Sequence, residues 1–280
     1  MAYFEGIQPF HPALCAHAAT RTKPNPGQRI MNDPSRELFE NYERYYTGFD
    51  TSLEDIRKFH LERVPRWLDR IDKQARILDA GCAKGYLLSL LHRLGYSDLR
   101  GVDLSESLAA QARSILPPSV MIETADIRDY LGKTPDESFD VILFHHVLEH
   151  LPREHTIPVL RSFRRCLKGG GYLSIRVPNV SSLMGSINCF WDFTHVIYFN
   201  ERSLLQVLDA AGFDVSKAEL ILHPPRLYWS WRHPVRAVFR LLNRLRWHLN
   251  NAIHYGLCLL QDIRPIPKVF EWEIEVLIKK

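Results

Sequence analysis

The chain has 280 residues, 46% hydrophobic and 11% aromatic, which suits one packed α/β domain with attachments and excludes a disordered polypeptide. Its net charge of +4 is modest, but six arginines and no acid fall between residues 220 and 261, leaving the remainder at −2, so nucleic acid is not favoured as a partner. Five scattered cysteines (Cys15, Cys82, Cys166, Cys189, Cys258) without a CxxC pair, no charged start followed by an apolar run, and no apolar stretch of membrane-span length lead to the expectation of a cytoplasmic protein.

Residues 1–35 mix Pro, Gly, Asn, Thr and His without periodicity and read as a flexible leader. Residues 36–73 are amphipathic with a helical period and predict a helical lid, broken at Thr47-Gly48. A core over 74–222 then alternates strand and helix. ARILDA (75–80) predicts a strand, Tyr86–Leu94 a helix ending at Gly95, DLRGVD (98–103) a second strand and Ser105–Leu116 its helix. VMIET (120–124) and FDVILFHH (139–146) follow as strands, then a helix over Glu154–Leu167, GYLSIRV (171–177), a helix over Glu201–Ala211, and FDVSKAELI (213–221). An insertion occupies 223–269, and the last strand lies in 270–280 as EWEIEVLIK. This rhythm predicts an α/β fold with a mostly parallel sheet and helices on both faces.

In Asp79-Ala80-Gly81-Cys82-Ala83-Lys84-Gly85 a strand ends in an acid and enters a small-residue turn that opens a helix. The turn sits at the carboxyl edge of a parallel sheet, where open α/β folds bind ligands, and small residues allow close backbone approach. A dinucleotide fingerprint needs glycines where Ala83 and Tyr86 stand, and an acid at the strand tip repels a pyrophosphate; a Walker loop needs a glycine that Gly132-Lys133-Thr134 lacks upstream. S-adenosylmethionine (SAM) carries an ammonium, a sulfonium and a carboxylate but no phosphate, and makes Asp79 a contact instead of a liability. Asp103 ends the second strand 22 residues after Gly81, the spacing at which an acid meets ribose hydroxyls. Asp126 follows the third strand, placed to accept from an adenine amino group; the alternative for each acid is that it caps the next helix.

Over about 74–222 plus the final strand the chain resembles the class I SAM-dependent methyltransferases, small-molecule type, similar to members near sugar and surface-glycan pathways. ILDAGCAKG stands for the glycine-rich first motif, GVDLSE for the second-strand acid, ADIRD for the adenine-side acid, FDVILFHHVLEHL for the fourth strand, and LKGGGYLSIRVPN for the fifth. The resemblance implies a Rossmann-like seven-stranded sheet whose last strand is antiparallel. It also implies SAM contacts from Asp79, Gly81, Cys82, Ala83, Gly85, Asp103, Leu104, Asp126, Ile127 and His145. Ala83 departs from the family pattern, where glycine is common, and predicts an altered loop with binding kept.

Hydroxyl methylation needs a base, and His145 and His146 end the fourth strand on the methyl side. Alternation lets one of them face the cleft, and His146, next to the turn, is the expected base. His146-Val147-Leu148-Glu149-His150 also matches an H-x-x-E-H zinc pattern, but no distal third ligand stands out, so no metal site is expected. Trp191–Phe199 resembles a D-x-T-H-x-x-x-F segment of small-molecule methyltransferases. It makes Asp192 an acceptor-binding candidate and His195 a second candidate base; the alternative is an aromatic loop packing on its own sheet. Tyr45 and Tyr46 are acceptor-side candidates on the lid, where Tyr42 reads as packing.

In the insertion, Arg232, Arg236, Arg240 and Arg244 recur every four residues beside Val235, Val238, Phe239, Leu242, Leu245 and Leu249, with Tyr228, Trp229, Trp231 and Trp247 nearby. A basic amphipathic helix of this kind fits an anionic membrane surface or a homodimer contact. The combined expectation is O-methylation of a saccharide or lipid-linked acceptor by a cytoplasmic protein that meets the membrane peripherally. N- or C-methylation, and SAM binding without turnover, are the alternatives.

Overall fold

The computed structural model describes residues 66–183, 185–224 and 234–280, with backbone alone at Arg66, Pro234 and Arg236. The expected leader, nearly all of the lid with Tyr42, Tyr45 and Tyr46, and Tyr228, Trp229, Trp231 and Arg232 lie outside the described residues. Seven strands form one sheet: β1 (Arg76–Ala80), β2 (Asp98–Asp103), β3 (Met121–Thr124), β4 (Phe139–His145), β5 (Leu167–Pro178), β6 (Glu219–Ile221) and β7 (Glu273–Lys279), in the order β3-β2-β1-β4-β5-β7-β6. β1 to β5 run parallel, and β7 is antiparallel to both β5 and β6. The Rossmann-like, seven-stranded fold expected from the sequence is the fold observed.

The strands form where apolar residues run without interruption, because both sheet faces are covered. Alternation sorts their side chains into two cores. Leu78, Ile142 and Phe144 face one core with Val159, Phe163, Leu204 and Leu208, whereas Ile77, Val141 and Leu143 face the other with Leu88, Leu91, Trp67 and Tyr96. The covering helices are α1 (Tyr86–Arg93), α2 (Glu106–Ile115), α3 (Ile127–Lys133), α4 (Arg153–Cys166), α5 (Gly185–Phe190), α6 (Glu201–Ala210) and α7 (Pro234–Leu260). Side-chain caps set three of their starts: Ser105 accepts from Leu108 N–H, Asp126 from Arg128 N–H, and Asn200 from Ser203 N–H in a reciprocal box. Cys82, Cys166, Cys189 and Cys258 are buried free thiols.

The structure corrects two expectations. The strand expected over 213–221 shrinks to β6, because Asp214 Oδ1 accepts from Ser216 N–H (3.2 Å) and from the Ser216 hydroxyl and bends 215–217 into a turn of 3-10 helix. β5 begins at Leu167, four residues early, and carries the Gly169-Gly170-Gly171 run across a register shift against β4. The basic helix expected in the insertion is α7, 27 residues long, with its apolar side turned outward. Val235, Val238, Phe239, Leu242, Leu245 and Leu249 are all exposed, whereas Ala237, His254 and Cys258 are buried and Trp247 Nε1 donates to Glu271 (3.1 Å). No helix among the described residues is long and apolar enough to cross a membrane.

One buried polar cluster ties the sheet together. Glu275 on β7 is fully buried, and its carboxylate accepts from Trp67 Nε1 (3.1 Å), Ser174 Oγ (3.1 Å), Arg176 Nε and Nη2 (3.2 and 2.5 Å) and His223 Nε2 (2.6 Å). Burial alone would raise its pKa, but the Arg176 guanidinium and the His223 ring more than reverse this and hold it well below the usual carboxylate range. The cluster lies beneath the carboxyl ends of β4 and β5, under the candidate site.

Candidate active site

At the end of β1 the chain makes the small-residue turn that the sequence predicts, and its shape follows from packing. Gly81 (φ 86°) and Gly85 (φ 73°) are left-handed; a β-carbon on the first would overlap Val147, and on the second would press into Leu116 and Ala112. Ala83 also adopts a left-handed backbone (φ 44°), so the residue that departs from the family pattern sits where glycine fits with less strain. The N–H groups of Gly81 and Cys82 donate to Val102 O, Gly85 N–H to Cys82 O, and Ala83 N–H to Asp103 Oδ2 (2.7 Å). These four amides are therefore tied inside the protein, and the loop offers a ligand a close, bare surface.

Asp79 is 4% exposed, and among the described residues no Lys, Arg or His nitrogen lies within 4 Å of its carboxylate. Burial, then the neighbouring Asp103 charge, pushes its pKa up to about 7. A buried acid that lacks a cation suits a ligand ammonium, which is the fit SAM requires here. Asp103 ends β2 with Oδ1 on Ser105 N–H (2.9 Å) and Oδ2 on Ala83 N–H, so it both shapes the loop and faces the cleft edge. Burial raises its pKa too, against the lowering by these amides. Leu104, next along, is exposed at the sheet edge, and Ile127 begins α3.

Two expected contacts are qualified by the structure. Cys82 points its buried thiol into the core between β1 and β2, where burial raises its pKa, so only its backbone borders the loop. Asp126 caps α3, and its carboxylate also accepts from Arg128 Nε (2.9 Å) and Nη2 (2.6 Å), so an adenine contact would share an acid already engaged.

The paired histidines at the end of β4 separate as alternation requires. His145 Nε2 lies 2.9 Å from Ser174 Oγ, at the edge of the Glu275 cluster; burial, then Arg176, pushes its pKa down to about 3 and keeps the ring neutral. This places the His145 side chain in the supporting network. His146 follows in a left-handed conformation (φ 57°) that turns its exposed ring out at the strand tip. There it lies 3.5 Å from Glu149 Oε1 and 3.6 Å from Glu273 Oε1. Desolvation opposes its charge, but these carboxylates outweigh it and raise the pKa. Ala83 and His146, two of the four non-glycine residues with positive φ among the described ones, thus flank one cleft, as strained residues at functional sites do.

The loop after α5 is strapped to the same place. Val196 and Ile197 N–H both donate to the Glu149 carbonyl (2.9 and 3.1 Å), bringing His195 against His150 with ring centroids 4.7 Å apart. Asp192 Oδ1 accepts from the Thr194 amide and hydroxyl (2.8 and 2.7 Å), so within the chain it shapes the loop. Phe190, Trp191 and Phe193 project into solvent around this mouth. Sequence reading missed the fully buried Glu149 at the centre and Thr194 behind His150. The H-x-x-E-H pattern was the available signal for Glu149, but its distal neighbour comes from another loop.

A model described as methyltransferase domain matches residues 52–218. A Mycobacterium tuberculosis protein named "Probable S-adenosylmethionine-dependent methyltransferase" is 31% identical over 152 residues, covering 54% of this chain and 53% of that protein. Trans-aconitate 2-methyltransferase of Escherichia coli O157:H7 is 35% identical over 121 residues, 42% and 43% of the two chains. The chain thus spans about half the length of the curated relatives it matches. Among solved structures, a SAM-dependent methyltransferase from Archaeoglobus fulgidus superposes with a TM-score of 0.57 at 23% identity, covering 89% of this chain and all of that one. The Burkholderia thailandensis 1,6-didemethyltoxoflavin-N1-methyltransferase, solved with its substrate and S-adenosylhomocysteine, gives 0.51 at 14% identity, over 94% and 93%.

Proposed function

The chain belongs to the class I SAM-dependent methyltransferases, and from that premise we propose that it methylates an oxygen of a saccharide or lipid-linked acceptor at an anionic membrane surface. The observation that carries the acceptor half is the inverted α7. A helix on a globular domain turns its apolar face to the core, whereas α7 packs through Trp247, His254 and Cys258 and leaves its apolar face outward. Residues 234–260 hold four arginines and no acid, which complements anionic lipid. The cofactor half is supported by Asp79 and Asp103, which suit the ammonium and the ribose.

When bound, SAM supplies a methyl group on a sulfonium, displaced in line by the acceptor. On this reading Asp79 holds the cofactor's amine end, Asp103 fixes its ribose, and the glycine turn lets both approach the backbone. His146, exposed at the β4 tip, takes the acceptor's hydroxyl proton, and Glu273 stabilises the imidazolium.

The test is label transfer from methyl-labelled SAM in a cell extract with phosphatidylglycerol-rich vesicles. Label is expected in the lipid extract, and the wild-type chain is expected to pellet with the vesicles. Glu at both Leu242 and Leu245, exposed positions that leave the core untouched, removes about 1.5–3 kcal/mol of apolar burial each and should cut the pelleted fraction at least about tenfold. Equal pelleting of the two proteins removes the membrane reading. Self-association that the variant loses without vesicles assigns the face to a second copy instead.

A further inference from the structure

We propose that Glu149, His150 and His195 form a binding site for one divalent transition-metal ion beside the cofactor loop. One ligand atom from each residue lies within 4.8 Å of the other two. The loop that delivers His195 is anchored by two backbone bonds to the Glu149 carbonyl, so the trio comes together through the fold.

The hydrogen bonds behind the histidines set their tautomers. Thr194 donates its hydroxyl proton to Asp192, so its oxygen accepts from His150 Nδ1 (2.8 Å), which places the unprotonated nitrogen of that ring at Nε2. His195 Nδ1 lies 2.8 Å from the Cys189 carbonyl, an acceptor only, so His195 Nε2 also carries a lone pair. Metal-ligating histidines are held in this way, one ring N–H fixed by a carbonyl or by a hydroxyl that a carboxylate orients. Glu149 adds the charge. It is 1% exposed, and among the described residues neither carboxylate oxygen accepts a hydrogen bond; the nearest cationic group is His146 Nδ1 at 3.5 Å. A buried carboxylate without donors is costly, and a divalent ion answers that cost directly.

Two imidazoles and one carboxylate suit zinc, manganese, iron or cobalt better than magnesium or calcium, which prefer all-oxygen ligands. Three protein ligands also leave positions for an oxygen from outside. The H-x-x-E-H pattern, set aside for want of a distal ligand, gains one in His195, which becomes a metal ligand instead of a base. Val147, two residues before Glu149, packs at Gly81, so the ion lies next to the cofactor turn. A part for it in presenting an acceptor oxygen rests on the methyl-transfer reading; metal binding itself does not.

The experiment titrates the full chain, stripped with chelator and desalted, with Co2+ followed by its visible absorption and with Zn2+ by competition. One equivalent should bind to the wild-type protein. His195→Ala should lose at least about 100-fold in affinity, Thr194→Val, which removes no ligand, about 10- to 100-fold, and His92→Ala on the exposed face of α1 nothing. Substoichiometric binding by the wild type, or equal affinity in wild type and Thr194→Val at unchanged thermal stability, overturns the proposal. SAM affinity of the stripped chain, measured in parallel, is expected to persist, so failure here and failure of the cofactor assignment are told apart.

Discussion

Replacing Asp103 with alanine is expected to weaken SAM binding by at least about a hundredfold. The carboxylate holds Ser105 N–H with one oxygen and Ala83 N–H with the other, and each oxygen keeps lone pairs for a ribose hydroxyl. Two lost charge-assisted hydrogen bonds are each worth about 1.5–3 kcal/mol, so one alone exceeds about tenfold and both exceed about a hundredfold. A second contribution comes from the protein. The bond from Asp103 pins Ala83 in a left-handed conformation that alanine disfavours by roughly 1–2 kcal/mol, so the variant lets the loop relax away from its binding shape. Asp103→Asn keeps one acceptor and should fall between the two proteins. Calorimetric titration with circular dichroism as the check on folding measures this. Affinity unchanged in Asp103→Ala means that the ribose is held elsewhere.

The largest effect on stability is expected from Arg176→Met, which should cost about 3 kcal/mol. It strips two donors from Glu275, a carboxylate with no solvent access, and removing one partner of a buried pair typically costs about 3–5 kcal/mol. Trp67, Ser174 and His223 still donate, which sets the estimate at the low end. Replacing both partners, Arg176→Met with Glu275→Leu, should recover much of the loss, since no stranded charge remains. The sign with pH follows from the depressed carboxylate. Its stabilisation is present above the ordinary glutamate pKa and is lost as pH falls towards the folded value, so the wild-type advantage over the double variant should shrink in acid. Urea unfolding at pH 7 and pH 4 gives both comparisons; a single variant as stable as wild type removes the cluster from the account of the fold.

The elements were legible where one physical signal dominated. β1 and β4 are uninterrupted apolar runs that end in polar residues, so both the strands and the acid or histidine at their tips could be read. Gly81 and Gly85 were legible because the turn needs positive φ. β6 was not, because alternation in 213–221 is countered locally by the Asp214–Ser216 turn. Glu275 reads from sequence as the polar side of an alternating strand. It is buried because β7 lies between β5 and β6, and its donors come from as far away as Trp67. Likewise the amphipathic period of α7 could be read, but not the direction its apolar side takes. Glu149 and His195 are 46 residues apart, and only the strap from Val196 and Ile197 makes them neighbours.

We propose Asp79 as the buried acid that suits this loop to a cationic, phosphate-free cofactor. Its pKa near 7 means that the protein without ligand loses stability as pH rises from the ordinary carboxylate range to about 7, while a ligand ammonium gains a partner over the same interval. Calorimetric titration of SAM from pH 5 to 9, with wild type and Asp79→Asn and with NAD and ATP as comparators, tests this most directly. SAM affinity should rise by up to about tenfold per pH unit towards pH 7, then fall as the ligand's α-amino group, at about 7.7–8.0, loses its proton. The rising limb should vanish in Asp79→Asn, and neither phosphate-bearing ligand should bind. A flat profile shared by both proteins, or tighter binding of NAD or ATP than of SAM, contradicts the account.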